Sequence, residues 1–404
     1  MKHPSTSTRY LFSVWVATVL AFVLPISKSV AASSTELAAP QVCIVYSKLT
    51  GKWVPGKDSS GRYDLFLSCT ASTETRQLTS RSNGLGSVVW YPQFSPDGKD
   101  ILFVANKADS ETEIDLLESP TYRMQGTNLW RLNIGSRVTQ PITTDGSGYR
   151  FFSWAPDGKW VTAIQYGWPP YDQIEVWDLK PNKRKLLSKR TKTEELTDLF
   201  WSRDSQKLYF QRNTSTASDP NLYIIVRGGG KAKVQVKGKG ERRYYSFSSD
   251  SRKLAFVQNN VLYVSNTDGS GLQQVMKIAK SNITSRPSWS TKGLLAISET
   301  TKGKDGSGAV TQLHIYDSAS KSTYKVMDVP YNVTEMRWSK DDQWLFLKLM
   351  KTGSTDTPDL NTGWYTYRRE GLLAVSRLGD KQIMLKEPNE ETKGLDWAET
   401  KSSN

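Results

Sequence analysis

One turn motif recurs along this chain and constrains its fold more than any other feature. The motif is an aromatic residue, a small residue and a tight turn, followed by a strand of alternating apolar residues. Pro-Asp-Gly forms such a turn because Pro fixes φ and Gly tolerates a positive φ. Successive copies lie 42 to 60 residues apart, a spacing typical of four-stranded β-propeller blades. The aromatic residues of the copies are Phe94, Trp154, Trp201, Phe247, Trp289, Trp338 and, near the C-terminus, Trp397.

The number of motifs predicts an all-β fold, a β-propeller of seven four-stranded antiparallel blades. The first unit supplies only three strands of its own, at Val42–Ser47, Tyr63–Cys69 and Arg76–Thr79. We expect the segment around Leu395–Ala398 to add the fourth, because a ring closed by both ends of the chain has no exposed strand edge. Six blades is the alternative if degraded units merge. The propeller domain should cover 42–399, between a linker at 32–41 and a tail at 400–404.

The first 31 residues have the layout of a secretory signal peptide. Basic residues precede an apolar run that ends near Ile26, and the small residues of Ser29–Ala32 follow as a cleavage site. An uncleaved N-terminal membrane anchor is the alternative, because the apolar run is long for a signal. We therefore expect a periplasmic or secreted protein.

The two cysteines of the chain, Cys43 and Cys69, lie in two strand-like segments of the first unit. A hairpin folded about the middle of the loop between them places Cys43 opposite Cys69, at a distance that a disulfide can span. Export permits disulfide formation. We expect a Cys43–Cys69 disulfide, and two buried free thiols are the alternative.

Three segments of the repeat resemble the repeat of TolB-like β-propellers. They are FSPDGKDILFVANK, WAPDGKWVTAIQY and the turn SNTDGSGLQQV at 265–275. The resemblance covers essentially all of the chain after the signal segment and implies a propeller that lacks the N-terminal α/β domain of TolB. Similar repeats form the propellers of prolyl oligopeptidase-like enzymes and of lyases that act on pectin fragments. Such a resemblance is specific for the fold and weak for function.

The chemistry-bearing residues favour a binding protein over an enzyme. His314 is the only histidine after the signal segment, and no G-x-S-x-G motif is present. A nucleophilic triad, or a metal site built from several histidines as in the pectin-fragment lyases, is therefore not expected. We expect no cofactor and no metal. A carboxylate pair for glycoside hydrolysis is the alternative, and Asp198, Glu335 and Asp396 are its candidates by register.

The innermost strand of each blade, which ends at the aromatic residue, should line the central channel with one face. Residues two before the aromatic, such as Phe152 and Leu199, share its face by the two-residue period of a strand and should be core. Residues one or three before it should face the channel, and the latter lie nearer its mouth. A ring that mixes aromatic and charged groups suits a peptide or sugar ligand, and a water-filled lining is the alternative. The candidate ligand-binding residues are Tyr91, Phe151, Asp198, Tyr244, Arg286, Glu335, Arg337 and Asp396.

The chain carries a formal net charge of +14, which becomes +11 without Lys2, Arg9 and Lys28. Many of the basic residues form two runs near consecutive C–D hairpins, the hairpins between the two outer strands of a blade. Consecutive blades place equivalent hairpins side by side, so the runs predict one basic edge that attracts an anionic partner, and a solvated charged rim is the alternative. The candidate residues of this edge are Lys183, Arg184, Lys185, Lys189, Arg190, Arg227, Lys231 and Lys233.

These features predict binding rather than catalysis. We expect an exported, non-catalytic, monomeric propeller that contacts an envelope protein, an acidic polysaccharide or a lipid through the channel mouth and the basic edge. Nucleic acid is not expected as a partner of an exported protein. The alternative is a carbohydrate-active hydrolase or lyase with a carboxylate-based site in the channel.

Overall fold

The computed structural model describes residues 37–50, 62–108, 126–165, 173–180, 182–189, 194–214, 217–236, 242–278, 285–302, 309–354 and 366–400. The chain divides into two compact units, Met1–Ala38 and Ala39–Asn404. The predicted signal peptide at 1–31 lies outside the described residues. In the described ranges no helix is both long enough and apolar enough to cross a membrane.

The second unit is a β-propeller of seven blades, and each blade is one four-stranded antiparallel sheet. We number the blades I to VII and letter their strands A to D from the channel outward. Blade I contains β1 (Val42–Thr50), β2 (Arg62–Cys69), β3 (Thr75–Gln77) and, as strand A, β28 (Thr392–Glu399). Blade II follows a 3-10 turn at Arg81–Asn83 and contains β4 (Leu85–Phe94), β5 (Asp100–Lys107), β6 (Thr127–Asn133) and β7 (Thr139–Pro141).

The remaining blades each use four consecutive strands. Blade III contains β8 (Tyr149–Trp154), β9 (Trp160–Gln165), β10 (Gln173–Asp178) and β11 (Lys183–Lys189), and blade IV contains β12 (Glu194–Trp201), β13 (Lys207–Thr214), β14 (Ala217–Val226) and β15 (Lys233–Val236). Blade V contains β16 (Arg242–Phe247), β17 (Lys253–Gln258), β18 (Val261–Asn266) and β19 (Gln273–Lys277). Blade VI contains β20 (Ser288–Trp289), β21 (Leu294–Lys302), β22 (Ala309–Asp317) and β23 (Ser322–Val329), and blade VII contains β24 (Asn332–Trp338), β25 (Trp344–Ser354), β26 (Thr366–Ser376) and β27 (Gln382–Lys386).

The ends of the propeller meet in blade I. Strand β28 pairs antiparallel with β1, so that Trp397 lies opposite Ile44 and Leu395 lies opposite Tyr46. The seven blades and the closure by the C-terminal strand are as the motif count predicts, and the six-blade alternative is wrong. Because strand A of blade I comes from the far end of the propeller, opening the ring requires breaking the β1–β28 ladder.

A disulfide joins the two central strands of blade I. Strands β1 and β2 place Cys43 directly opposite Cys69, with Cα atoms 4.0 Å apart, and their sulfurs are bonded. The two cysteines are 26 residues apart in the sequence. In the chain-entropy model, a loop of that length corresponds to about 3.5 kcal/mol of stabilisation through the unfolded state.

The core lies between adjacent blades. The residues two before the aromatic, which the strand period assigns to the core, are buried at Phe152, Leu199, Tyr245, Met336 and Leu395. Large aromatic side chains fill the space between the sheets. Tyr149 and Trp177, for example, are both almost fully buried and meet edge to face with ring centroids 5.5 Å apart.

The turns between strands A and B explain why degraded copies of the motif still fold. The glycine of the intact motif has a φ of 72° at Gly98. Ser205, Ser251 and Asp342 occupy the equivalent position in degraded copies, with φ of 58–59°. A left-handed conformation costs a non-glycine residue about 1–2 kcal/mol. Hydrogen bonds of the motif offset part of this cost; in the intact copy, Ser95 donates to Asp97 at 2.6 Å and thereby lowers the pKa of that carboxyl.

Candidate functional site at the channel mouth and the basic edge

A ring of hydrogen bonds connects the innermost strands of neighbouring blades. In four blades the indole N–H of the strand-A tryptophan donates to a carbonyl in strand A of the preceding blade, one residue before that blade's aromatic. The pairs are Trp154 with Gln93, Trp201 with Ser153, Trp289 with Ser246 and Trp338 with Ser288, at 2.9–3.3 Å. Phenylalanine has no N–H donor, so tryptophan at these positions contributes a hydrogen bond between blades as well as apolar volume.

Strand A is not regular at the predicted mouth residues. Tyr91, Phe151 and Tyr244, each three before its aromatic, have φ of 55°, 50° and 60°. The strand pairing shifts register at each of these points, which makes them β-bulges. The two-residue alternation therefore breaks at these residues, so the alternation alone does not determine the strand face on which their side chains lie. Tyr91 and Phe151 are 40% and 48% exposed.

The equivalent bulge in blade I is occupied by Gly394, with a φ of 107°. A Cβ at Gly394 would lie 2.6 Å from the Cα of Tyr91 in the neighbouring blade. The close approach of the two backbones therefore requires glycine at this position. Blades I and II, the first pair in the ring, are in contact directly at the mouth.

Three of the predicted mouth residues form one ionic cluster. The Arg337 guanidinium contacts the carboxylate of Glu335, with Nε 2.8 Å from Oε1, and also hydrogen-bonds Oδ1 of Asp396. Its guanidinium carbon lies 3.7 Å from the ring centroid of Trp397. Asp396 accepts a second hydrogen bond, 2.7 Å long, from the backbone N–H of Phe94. The cluster therefore joins strand A of blades VII, I and II.

Two further charged residues brace the same junction. Lys348, on β25, donates to the carbonyl of Leu395 at 2.8 Å and lies 3.6 Å from the carboxylate of Glu370 on β26. Glu370 in turn accepts a 2.9 Å hydrogen bond from the backbone N–H of Gly394. Blade VII therefore holds strand β28 with an ion pair as well as with Arg337.

The electrostatics favour the charged forms of Glu335 and Arg337. Burial opposes the charge of Glu335, but the positive charges of Arg337, Lys348 and Arg286 outweigh it and lower the pKa of this carboxyl. Burial likewise opposes the charge of Arg337, and Asp396 and Glu335 outweigh it and raise the pKa of Arg337 above its ordinary value. The general acid of a glycosidase needs a raised pKa instead. Glu335, Arg337 and Asp396 thus form a network of ion pairs that links strand A of blade VII to strand A of blade I.

The other predicted mouth residues belong to other blades. Arg286, before strand A of blade VI, stacks over the ring of Phe200, with its guanidinium carbon 5.3 Å from the ring centroid. Tyr91, Phe151 and Tyr244 belong to blades II, III and V. Asp198 lies on β12, and its side chain is outside the described part of the structure.

Two arginines of the predicted basic edge are counter-ions within the fold. Arg184 contacts Asp145 at 3.1 Å and Glu175 at 2.5 Å. The Glu175 side chain is only 2% exposed, and its burial raises the pKa of this carboxyl despite the hydrogen bond from Arg184. Arg227 stacks on Trp160, with its guanidinium carbon 4.2 Å from the ring centroid. Its guanidinium also donates to the carbonyl of Ser205 at 3.0 Å.

The lysines of the basic edge face the solvent. The ammonium group of Lys185 on β11 hydrogen-bonds the carbonyl of Gly228, in the C–D hairpin of blade IV. Lys183, Lys231 and Lys233 are exposed. The structure thus brings the outer hairpins of blades III and IV together. The side chain of Lys189 and all of Arg190 lie outside the described residues.

Register alone could have identified one residue that the sequence analysis missed. Phe200 directly precedes Trp201, the position that the alternation assigns to the channel, and it carries the ring on which Arg286 stacks. Lys348 and Glu370 lie on strands B and C and carry no comparable signal. Among the described residues, no group of three or more His, Cys, Asp and Glu side chains is arranged to hold a metal ion.

Comparison with known proteins finds similarity at the level of structure. No protein-family model matches the chain, and no curated protein sequence matches it either. The β-propeller domain of the Trilobed protease from Pyrococcus furiosus matches with a TM-score of 0.54 and 12% identity, over 86% of this chain and 93% of that chain. Oligogalacturonate lyase from Vibrio parahaemolyticus matches with a TM-score of 0.51 and 11% identity, over 87% of each chain.

TolB from Acinetobacter baumannii is also among the structural matches, with a TM-score of 0.47 and 14% identity. The match covers 89% of this chain and spans 66% of the length of that TolB chain. The two matches with TM-scores of 0.54 and 0.51 show a shared propeller fold, and their identities of 12% and 11% leave the function open.

Proposed function

We propose that this protein is an exported, non-catalytic propeller that binds an anionic partner of the cell envelope through its basic edge. The observation that carries the proposal is the hydrogen bond from Lys185 to Gly228, which joins the outer hairpins of two blades into one surface. On that surface Lys183, Lys231 and Lys233 remain exposed, whereas Arg184 and Arg227 are held by neighbouring groups. Exposed lysines on a chain with net charge +14 attract polyanions.

The channel mouth is the second contact region of the proposal. Tyr91 and Phe151 are bulky residues in a left-handed conformation, and both keep much of their rings exposed. Backbone strain of this kind tends to be retained where it serves a binding or switching role. The ring of Phe200 under the Arg286 guanidinium, together with the exposed rings of Tyr91 and Phe151, offers surfaces on which a peptide or a sugar of the partner can stack.

The charge state of the channel supports binding over catalysis. The carboxylates of Glu335 and Asp396 share one guanidinium, and the pKa of Glu335 is lowered. A proton donor for glycoside cleavage needs the opposite shift. We therefore assign these residues to holding strand A of blades VII and I in place.

The test is binding of a soluble polyanion, polygalacturonate, at increasing salt concentration. The double variant Lys231→Glu, Lys233→Glu reverses two exposed charges of the edge. Arg76→Glu, Lys277→Glu is the matched control, because both of its residues are exposed on the outer strands of other blades and lie outside the C–D hairpins. A basic residue near an anionic surface contributes about 1 kcal/mol, so the edge variant should bind at least about tenfold more weakly. The control should lose much less.

Two results would contradict the proposal. The first is binding that is insensitive to salt or equally weakened by both double variants, which would indicate no role for this edge. The second is release of reducing or unsaturated ends from the polygalacturonate by the wild-type protein and not by a Glu335→Gln variant. That result would establish the carbohydrate-active alternative.

A further inference from the structure

The most exposed large apolar side chains of the described residues share one structural position. Val138, Val226, Leu272 and Leu378 are 50%, 52%, 54% and 69% exposed, and every other large apolar side chain in the described ranges is less exposed. Val138, Leu272 and Leu378 lie in the hairpin between strands C and D of blades II, V and VII, and Val226 is the last residue of strand C before that hairpin in blade IV. Singly exposed apolar residues are ordinary, but four at one repeated position form a pattern.

The propeller topology places these four side chains on one face of the ring. Strands A and C of a blade run in the same direction, so the C–D hairpins of all blades emerge on the same side, with the A–B turns. Because blades repeat around the channel axis, equivalent hairpin tips lie on a circle near the outer rim. The aliphatic groups therefore form points around an annulus near the outer rim.

Exposed basic side chains accompany the aliphatic tips of blades II and IV, and exposed Asp268 and Asp380 accompany those of blades V and VII. The exposed basic residues of the C–D hairpins are Arg137, Lys180, Lys231 and Lys321, and exposed Lys183 and Lys233 begin the strands that follow two of these hairpins. The exposed acidic residues of the same hairpins are Glu74, Asp268 and Asp380. Arg137 directly precedes Val138, so a cation and an aliphatic group share that hairpin tip. Cations beside aliphatic side chains suit an interface where acyl chains lie beneath negatively charged headgroups.

We propose that the C–D hairpin face docks on an anionic lipid bilayer, with Val138, Val226, Leu272 and Leu378 inserted at the headgroup boundary. This inference rests on the proposed function, because it names the anionic partner as a lipid surface. A bilayer fits better than a protein or a polysaccharide chain, because the contact points are spread around a ring and a planar partner reaches all of them together. The basic edge lies on this face, and the channel mouth with its exposed aromatics points away from the membrane.

The test is sedimentation of the protein without its predicted signal peptide, residues 32–404, with vesicles of phosphatidylglycerol and phosphatidylcholine, compared with vesicles of phosphatidylcholine alone. The tip variant is Leu272→Ser, Leu378→Ser. The matched control is Leu186→Ser, Val234→Ser, because these side chains are 42% and 38% exposed on the outer strands β11 and β15 rather than at hairpin tips. Thermal unfolding and polygalacturonate binding of each variant report on the fold and on the basic edge.

We expect the wild-type protein to bind the anionic vesicles and not the neutral ones. The tip variant should bind anionic vesicles at least about tenfold more weakly, because two leucine side chains no longer leave water. Its polygalacturonate binding should be unchanged, and the control should bind vesicles as the wild type does. A Leu378→Trp variant should show indole fluorescence that is quenched by brominated lipid.

The outcomes separate this inference from the proposed function. Equal vesicle binding by the tip variant and the wild type, or unquenched indole fluorescence at position 378, overturns membrane insertion. Binding of polygalacturonate without any binding of vesicles also overturns it and leaves the proposed function standing. Absence of binding to both polyanion and vesicles overturns the proposed function itself.

Discussion

Replacing Arg337 by methionine tests whether the ionic cluster holds strand β28 in the ring. Methionine keeps much of the apolar stem and removes the guanidinium, which contacts both Glu335 and Asp396. The Asp396 side chain is only 9% exposed, so it would lose its counter-ion with little water to replace it. It would keep only the hydrogen bond from the backbone of Phe94.

The expected loss can be worked from the surroundings of each contact. Breaking a fully buried ion pair costs about 3–5 kcal/mol, and an exposed pair contributes about 0–1 kcal/mol. The Arg337 side chain is 40% exposed, so the Asp396 contact should lie between these limits and the Glu335 contact near the lower one. The stacking on Trp397 adds about 0.5–1 kcal/mol. We expect Arg337→Met to lower the free energy of unfolding by about 2–4 kcal/mol.

Urea unfolding at neutral pH, combined with a double-mutant cycle, measures this effect. Asp396→Asn removes the charge and keeps an oxygen for the N–H of Phe94. If the two side chains act together, the double variant should be less destabilised than the sum of the single variants, by about 1–2 kcal/mol. A loss below about 0.5 kcal/mol for Arg337→Met, or strictly additive losses, would refute the reasoning.

Three further predictions follow from the turns, the disulfide and the pKa of Glu335. Ser251→Gly should raise the free energy of unfolding by about 0.5–1 kcal/mol, because glycine adopts the φ of 59° without strain. Ser205→Gly should lower the free energy of unfolding, because the Ser205 hydroxyl accepts a hydrogen bond from the backbone of Asp157 in the neighbouring blade. Urea titration of both variants checks the opposite signs. Replacing Cys43 and Cys69 by serine should cost about 3.5 kcal/mol, and a cost near zero would show that the disulfide is not formed in the purified protein. The folded-state pKa of Glu335 is lowered, so the contribution of this carboxylate to the free energy of unfolding is present above the ordinary pKa of 4.5 and is lost as pH falls through the folded-state pKa. Glu335→Gln should therefore flatten the acid side of the curve of stability against pH. An unchanged curve would contradict this.

Spacing and turn chemistry predict the ring, because each blade repeats the same local physics. The aromatics from Phe94 to Trp397 mark the ends of the inner strands, and the hairpin geometry of Cys43 and Cys69 follows from antiparallel pairing. A bulge leaves no such trace, since a two-residue alternation looks the same until the pairing shifts. The left-handed conformations of Tyr91 and Phe151 therefore appear only in the structure.

The intramolecular contacts of charged residues could not be predicted from the sequence either. Arg184 and Arg227 sit in basic runs that read as solvated surface, but one neutralises the buried Glu175 and the other stacks on Trp160. Lys348 and Glu370 meet β28 only because the far end of the chain returns to blade VII. Contacts between residues distant in sequence depend on how the blades are placed, which local patterns do not encode.

Hydrogen exchange of the intact protein, followed by mass spectrometry, tests ring closure most directly. The account predicts that amides of β28, Thr392–Glu399, exchange as slowly as those of its partner β1, Val42–Thr50, because both open only when the ring unfolds. Rapid exchange of Thr392–Glu399 while β2 stays protected would show that the C-terminal strand does not seal blade I. The ionic cluster of Glu335, Arg337 and Asp396 and the placement of the C–D hairpins on one face of a ring would then lose their structural basis.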